Sequence, residues 1–266
     1  MVSGILIISL LLVSLPAWGG QPRQMCLPCH TVHHAERGGC PDCHRGNPSS
    51  DRKNIAHAGL IPGKYAFFTF SDAPYVKKGN RLIDQYACRR CHIIDGRGNR
   101  LAVSLDVAAA SKIPGELAES IRRPVEFMPD FGMDEERITY LLNAILAGSQ
   151  RHKADESGPV AVHFNTGSKK NGDVFSIKCG SCHRVLSERR GALGKGNIGP
   201  NLSGLLSIYY PKTFRNSETW TMQNLKAWLN NPREIRPWVR MRPVRLAGDE
   251  TRELKSIIHV TSEPKK

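Results

Sequence analysis

The sequence lacks three features, and each absence narrows what the chain can do. It has no long basic run interleaved with aromatic residues, no cysteine outside C-x-x-C pairs, and no methionine between Cys26 and Tyr75. The first absence argues against nucleic acid as a partner, although the 266 residues carry 38 Lys and Arg against 24 Asp and Glu, a formal charge of +14. This charge instead favours acidic proteins, anionic small molecules or an anionic membrane surface.

The N-terminus predicts export. Residues 4–15 form an apolar run that is shorter than the roughly 20 residues of a membrane-spanning helix, and the small residues Ala17 and Gly19 follow it in an A-x-G pattern. We expect a signal peptide at 1–19 and a periplasmic mature protein. The run has no Lys or Arg before it and no spare cysteine for lipidation after it, and a retained N-terminal anchor is the alternative.

The cysteines define the class of chemistry. All eight fall into four C-x-x-C pairs, and each pair is followed at once by a histidine. C-x-x-C-H is the attachment pattern of c-type haem: two thiols at this spacing can add to the two haem vinyl groups, and the next residue then places an imidazole under the iron. The four motifs comprise Cys26, Cys29 and His30; Cys40, Cys43 and His44; Cys88, Cys91 and His92; and Cys179, Cys182 and His183.

The cysteines admit two other uses. The first two pairs alone have the spacing of a zinc ribbon. Disulfides are a further possibility, but C-x-x-C pairs make poor structural staples and do not require a trailing histidine. Four repeats of the motif, which together use every cysteine of an exported chain, predict four covalently bound haem c groups.

The chain divides into a signal peptide (1–19), a dihaem module (20–62), two helical haem domains (63–150 and 164–266) and a polar linker (151–163). The domains share an order of short helix, C-x-x-C-H, loop, helix, methionine loop and acidic-start helix, an internal repeat of about 100 residues. The aromatic stretch from Tyr65 to Tyr75 is either a short strand or packing between the module and the first domain.

Three helices have clear signals at their ends. MDEERITYLLNAILAG has Asp134 in its first turn, and Gly148 is expected just beyond its end. WTMQNLKAWLNNP is expected to stop at Pro232, and GDETRELKSIIHV to open at Asp249 and Glu250.

Residues 76–150 and 164–262 each resemble class I c-type cytochromes. The second match rests on GSCH, IGPNL (198–202), AWLNNP and Met241, and the first on the MPDF ending at Met128. The resemblance implies a mostly α fold with two such domains, and a hydrogen bond from the imidazole of His183 to the carbonyl of Pro200. The first domain has GRGNRL in place of a GP-x-L loop, so the acceptor for His92 stays open. The N-terminal segment resembles the small, loop-rich dihaem modules of multihaem cytochromes.

Methionines are the candidate sixth ligands in the two domains. Met128 lies in the proline-flanked loop that this family uses and is favoured over Met133, which is expected to start a helix. Met241 precedes the last helix and is favoured over Met222, which is expected to pack in the core. Thioether ligation raises the haem potential relative to imidazole.

Histidine is the strong candidate type in the dihaem module, because no methionine is in reach. His57 stands clear of both motifs among apolar residues and is predicted to bind one iron. If the chain continues helically after His30, both His33 and His34 lie near the first haem, where one could reach the second iron; His33 is favoured. The remaining histidines, His152, His163 and His259, are predicted to be surface residues.

Both axial positions of all four irons therefore have protein candidates, which favours electron transfer over catalysis at haem. We expect an exported tetrahaem cytochrome that carries electrons from a quinol-linked membrane donor to a periplasmic or outer-membrane acceptor, with low-potential bis-histidine and high-potential His/Met haems. An analogy links it to metal or oxyanion respiration. The alternative is a haem-based reductase or peroxidase with a labile sixth ligand in the dihaem module.

Arginines crowd the loop around Met241. They either neutralise haem propionates or form a docking surface for an acidic redox partner. The residues are Arg233, Arg236, Arg240, Arg242 and Arg245.

Overall fold

A computed structural model describes residues 25–70, 72–125, 127–152 and 172–261. The predicted signal peptide, most of the predicted linker and His163 lie outside these ranges. The described chain is mostly helical, with one short two-stranded sheet, which confirms the mostly α prediction. None of its helices is both long and apolar enough to cross a bilayer.

The N-terminal segment (25–62) contains little regular structure. Its elements are a 3₁₀ turn at Ala35–Arg37 and the short helices α1 (Cys40–His44) and α2 (Lys53–Ala56). No side chain from residue 25 to residue 60 is buried, and Ile61 is the first that is. The protein part of this segment therefore has no apolar core of its own.

The first helical unit (63–152) is built around two long helices. The helices are α3 (Pro74–Gln85), α4 (Leu105–Ser111), α5 (Pro114–Arg122) and α6 (Glu135–Arg151), with 3₁₀ turns at Gly63–Thr69 and Cys88–Arg90. α3 crosses α6 at Gly79, where a Cβ atom would lie 2.0 Å from the carbonyl oxygen of Tyr140. Only glycine allows this approach, and the crossing buries the faces of both helices.

The aromatic stretch after residue 62 forms no strand. It contains the 3₁₀ turn at Gly63–Thr69, and Tyr65 and Phe68 are buried in the core of the first helical unit. The packing alternative is therefore confirmed.

The predicted end of α6 is wrong. Asp134, predicted in the first turn, is the N-cap residue that directly precedes the helix, and its side chain accepts a hydrogen bond from the backbone N–H of Arg137 at 2.8 Å. However, the helix continues through Gly148 to Arg151. Gly148 is buried against Asp95, whose backbone N and Cβ would each lie 3.1 Å from an added Cβ. This glycine serves close packing and not helix termination.

The second helical unit (172–261) contains four α-helices and a short hairpin. Its helices are α7 (Val174–Lys178), α8 (Met222–Asn230), α9 (Pro232–Ile235) and α10 (Gly248–Ile258). Strands β1 (Val185–Ser187) and β2 (Gly191–Leu193) pair antiparallel, with Val185 opposite Leu193. As predicted, α8 ends before Pro232, and the first turn of α10 contains Asp249 and Glu250. α7 packs on α10 as α3 packs on α6.

The two helical units contact each other through a small apolar cluster. Cys91 and Leu101 of the first unit pack with Leu186 and Val260 of the second. Beside this cluster the side-chain amide of Asn99 donates to Ser207 Oγ at 2.8 Å. The contact brings one haem motif of the first unit against the second unit.

Candidate haem sites

The C-x-x-C-H motifs share one local geometry. In three of them the backbone N–H of the histidine donates to the carbonyl of the first cysteine, at 3.0 Å for His30, 3.1 Å for His92 and 2.9 Å for His183. The motif that ends at His44 coincides with helix α1. A single turn thus gathers both thiols and the imidazole. All eight cysteines lie in the part of the chain that the structure describes, and no disulfide joins any two of them there.

Backbone carbonyls orient three of the four imidazoles. His183 Nδ1 lies 2.8 Å from the carbonyl oxygen of Pro200, the bond that the resemblance implies. His92 Nδ1 lies 2.8 Å from the oxygen of Val103, and His44 Nδ1 lies 2.9 Å from that of Ile61. Because a carbonyl only accepts, each Nδ1 carries the proton, and the unprotonated Nε2 is left to bind iron.

The N-terminal segment brings its imidazoles together in pairs. The ring centres of His30 and His57 are 5.9 Å apart, and those of His33 and His44 are 5.7 Å apart. An iron with an imidazole nitrogen at about 2 Å on each side separates the ring centres by roughly 6 Å. Each pair therefore has the spacing of two axial ligands of one iron, and the rings of His33 and His34 also lie 5.7 Å apart.

His33 and His34 have different surroundings. No helix continues from His30 through residues 31–34, and His34 has a left-handed backbone with φ of 51°, so the helical continuation on which the placement of both histidines depended is not present. His34 Nδ1 lies 3.4 Å from Glu36, and its ring packs edge-on against Phe70 at 5.1 Å. The ring of His33 lies 5.7 Å from that of His44 and also 5.7 Å from that of His34, so the choice of His33 as the ligand stays a prediction.

A cavity of about 530 Å³, a size usual for a cofactor site, opens mainly in the first helical unit, and Leu186 and Ala192 of the second unit also line it. Cys88, Cys91 and His92 line it, and so do Met128 and Met133. The walls are mostly apolar, with three cationic side chains among the lining residues that could meet propionates. These are Arg90, Lys112 and Arg123.

Met128 and Met133 occupy different positions relative to α6, but both line this cavity. Met128 precedes the proline of MPDF, and Met133 lies just before α6; both are half-buried against the core. The expected packing of Met133 on the core is confirmed, and the cavity it lines is the same one that Met128 lines. The loop before α6 thus places a thioether in the wall of the cavity that His92 also lines.

In the second helical unit, Met241 is held by a side chain that the sequence did not reveal. The indole N–H of Trp228 donates to the sulfur of Met241 at 3.1 Å. Met222 packs on the core as expected. Gly199 fits against the imidazole of His183, where an added Cβ would lie 2.2 Å from Cε1. Trp228 lies in the AWLNNP stretch, but its distance to Met241 depends on the fold.

Burial favours the neutral forms of the two thiols and the imidazole in the motif of the first helical unit. It raises the pKa of the Cys88 thiol to about 12 and also raises that of Cys91. Burial lowers the pKa of His92, against the opposing effect of its hydrogen bond to Val103. The imidazole is therefore neutral at pH 7, the form that binds a metal. In the second unit, burial raises the pKa of Cys179 to about 11.

The five arginines near Met241 form a basic loop (233–245). Four side chains are exposed, while Arg236 lies over the ring of Trp228 at 5.4 Å. None of the five makes an ion pair with another described residue. Trp238, in the middle of the loop, is 81% exposed. The loop combines a large exposed aromatic side chain with five arginines and a single acidic residue, Glu234.

The surface histidines behave as predicted where they can be seen. His152 is half-exposed beside Asp95 at 3.4 Å, and His259 is exposed after α10. Among the described residues, no three or more His, Cys, Asp or Glu side chains converge as a bare metal ion would require.

No protein-family model matches the chain, and no solved structure matches it. The assignment of the sites therefore rests on their own geometry.

Proposed function

We propose that this protein is an exported tetrahaem c-type cytochrome that transfers electrons. The observation that carries the proposal is the pairing of imidazoles in the N-terminal segment, His30 with His57 and His33 with His44. Two strong-field ligands for each iron leave no open position for a substrate. Bound haem would supply one-electron redox chemistry, and the chain would attach it, orient it and set its potential.

The residues divide the work in a simple way. The eight cysteines would attach the haems, and His30, His44, His92 and His183 would bind the irons from the attachment side. His57 and His33 would complete the N-terminal pair, and Met128 and Met241 the other two. Since thioether ligation raises the potential, electrons at equilibrium would favour the helical units.

Haem content and potential test this proposal together. The full chain, produced in a host with a c-type haem attachment system, is expected to gain the mass of four haems and to titrate with two low and two high midpoints. The low pair follows from bis-histidine ligation and the high pair from methionine ligation. Absence of covalent haem would refute the proposal, and four coincident midpoints would refute the assignment of ligands.

The partners are proposed from charge and predicted location. A quinol-oxidising membrane complex is the proposed donor, and a periplasmic or outer-membrane protein the proposed acceptor, in a chain that could serve metal or oxyanion respiration. An acidic partner fits the basic loop (233–245), whose positive side chains surround the exposed Trp238 and flank the proposed ligand Met241.

Charge reversal tests the docking surface. We expect the double variant R233E/R245E to slow electron transfer from a reduced acidic flavodoxin about tenfold at low salt, because steering changes association rates by about 10–1,000-fold. The difference should vanish at high ionic strength. The matched control K212E/R215E makes the same change of charge at another exposed site. Equal slowing by both pairs, or no salt dependence, would contradict docking at the loop.

A further inference from the structure

Asn201 lies between the two helical units and touches parts of both haem sites. It directly follows Pro200, whose carbonyl accepts the bond from His183. The carbonyl oxygen of Asn201 itself accepts a bond from Arg90 Nη1 at 3.2 Å. Arg90 stands between Cys88 and Cys91 in the motif of the other unit. Two adjacent backbone carbonyls, those of Pro200 and Asn201, therefore contact the C-x-x-C-H motifs of both units, one at His183 and the other at Arg90.

The side chain of Asn201 reaches the opposite side of the first site. Its Nδ2 donates to the carbonyl of Phe127 at 2.9 Å, and Phe127 directly precedes Met128. Its Oδ1 accepts from the backbone N–H of Ser203 at 2.9 Å, which fixes the amide in this orientation. Of the three hydrogen bonds of Asn201 to Arg90, Phe127 and Ser203, the one donated by Nδ2 reaches the loop that carries Met128.

The surroundings hold Asn201 in place. The hydroxyl of Tyr210 also donates to its carbonyl, at 3.2 Å. Gly204 sits so close to the first unit that an added Cβ would lie 2.6 Å from the carbonyl oxygen of Arg90. With the Asn99–Ser207 bond and the apolar cluster around Cys91, these contacts resist sliding of one unit over the other.

We propose that Asn201 of the second helical unit is a positioning residue for Met128 of the first, and so couples the ligation of the two methionine haems. This inference rests on the proposed function. Without the amide donor, the carbonyl of Phe127 loses its bond. The loop that carries Met128 is then held less firmly, by the packing of Phe127 on the apolar cluster and by Arg184 over its ring at 5.9 Å. A change at Asn201 in the second unit would therefore alter the ligation of the haem in the first unit. If Asn201 served only to pack the second unit, the first site would not change.

The test compares N201D with N224D in the full haem-loaded chain. Aspartate keeps an oxygen for Ser203 but removes the donor to Phe127. Asn224 makes a matched bond, Nδ2 to the carbonyl of Thr219 at 2.9 Å, within the second unit alone. Midpoints are measured by potentiometry, with M128H identifying the midpoint of the His92 haem. The thioether-to-iron charge-transfer absorption of the oxidised protein reports methionine ligation.

N201D is expected to weaken that absorption and to lower the midpoint potential of the His92 haem by about 59 mV or more. This shift corresponds to a tenfold or larger change in the reduction equilibrium of that haem. N224D should match the parent. N201A, which adds no charge, should give the same shift. The proposal is overturned if the His92 midpoint is unchanged, or if both Asn201 variants lose haem only from the Cys179–Cys182 motif. A parent chain without haem would instead refute the proposed function.

Discussion

The quadruple variant C26S/C29S/C40S/C43S is expected to lose two haems and to unfold the N-terminal segment, while both helical units stay folded. No side chain from residue 25 to residue 60 is buried, so the polypeptide contributes almost no apolar free energy there. A few backbone bonds, such as Met25 to Pro48 at 2.8 Å and Asn47 to Ala56 at 2.9 Å, cannot offset the entropy of ordering the segment. The haems would supply the missing apolar surface.

Hydrogen exchange and limited proteolysis measure this effect. We expect exchange in the segment to reach the rate of an unfolded chain and cleavage to rise at least about a hundredfold, a loss of roughly 3 kcal/mol of local protection. C179S/C182S is the comparison. It removes a haem from a unit that has its own buried core, including Phe175 and Ile257, and should retain helical protection. A segment that stays protected without its thioethers would show that haem is not its core.

Local patterns were sufficient for some contacts and not for others. The bond between His183 and Pro200 follows from GP-x-L, because the two residues lie in one short loop. The acceptor for His92 could not be read in the same way. Any residue can offer a backbone carbonyl, so Val103 carries no side-chain signal, and only the path of the loop brings it to the imidazole.

Helix ends show the same limit. The start of α6 was predictable to within one residue, because acidic side chains are favourable at the N-terminal end of the helix dipole. Gly148 was misread because the pattern of a C-terminal glycine is the same as that of a glycine required by a close neighbour, here Asp95. The distant contacts of Asn201 and the Trp228–Met241 bond depend on how whole elements pack, which the periodicity of a single chain does not encode.

Substitution of His33 or His34 distinguishes which of the two histidines is the sixth ligand of an N-terminal haem. H33A is expected to leave an open position on the iron that His44 would bind, in the haem attached through Cys40 and Cys43. The ring of His33 lies 5.7 Å from that of His44, and the neighbouring histidine is engaged by Glu36 and Phe70. The variant should become high-spin at this haem and bind cyanide or carbon monoxide at least about a hundredfold more tightly than the parent, since no imidazole competes for the iron.

H34A is the matched control, because it removes the same side chain from the adjacent residue and should keep the low-spin spectrum. If H34A opens the iron and H33A does not, the ligand assignment is reversed while the carrier function stands. If the parent is already high-spin at one haem, or turns over nitrite or peroxide at the rate of H33A, the sixth position is open in the native protein. The N-terminal pair would then be a reaction centre, and the haem-based reductase or peroxidase would replace the electron carrier.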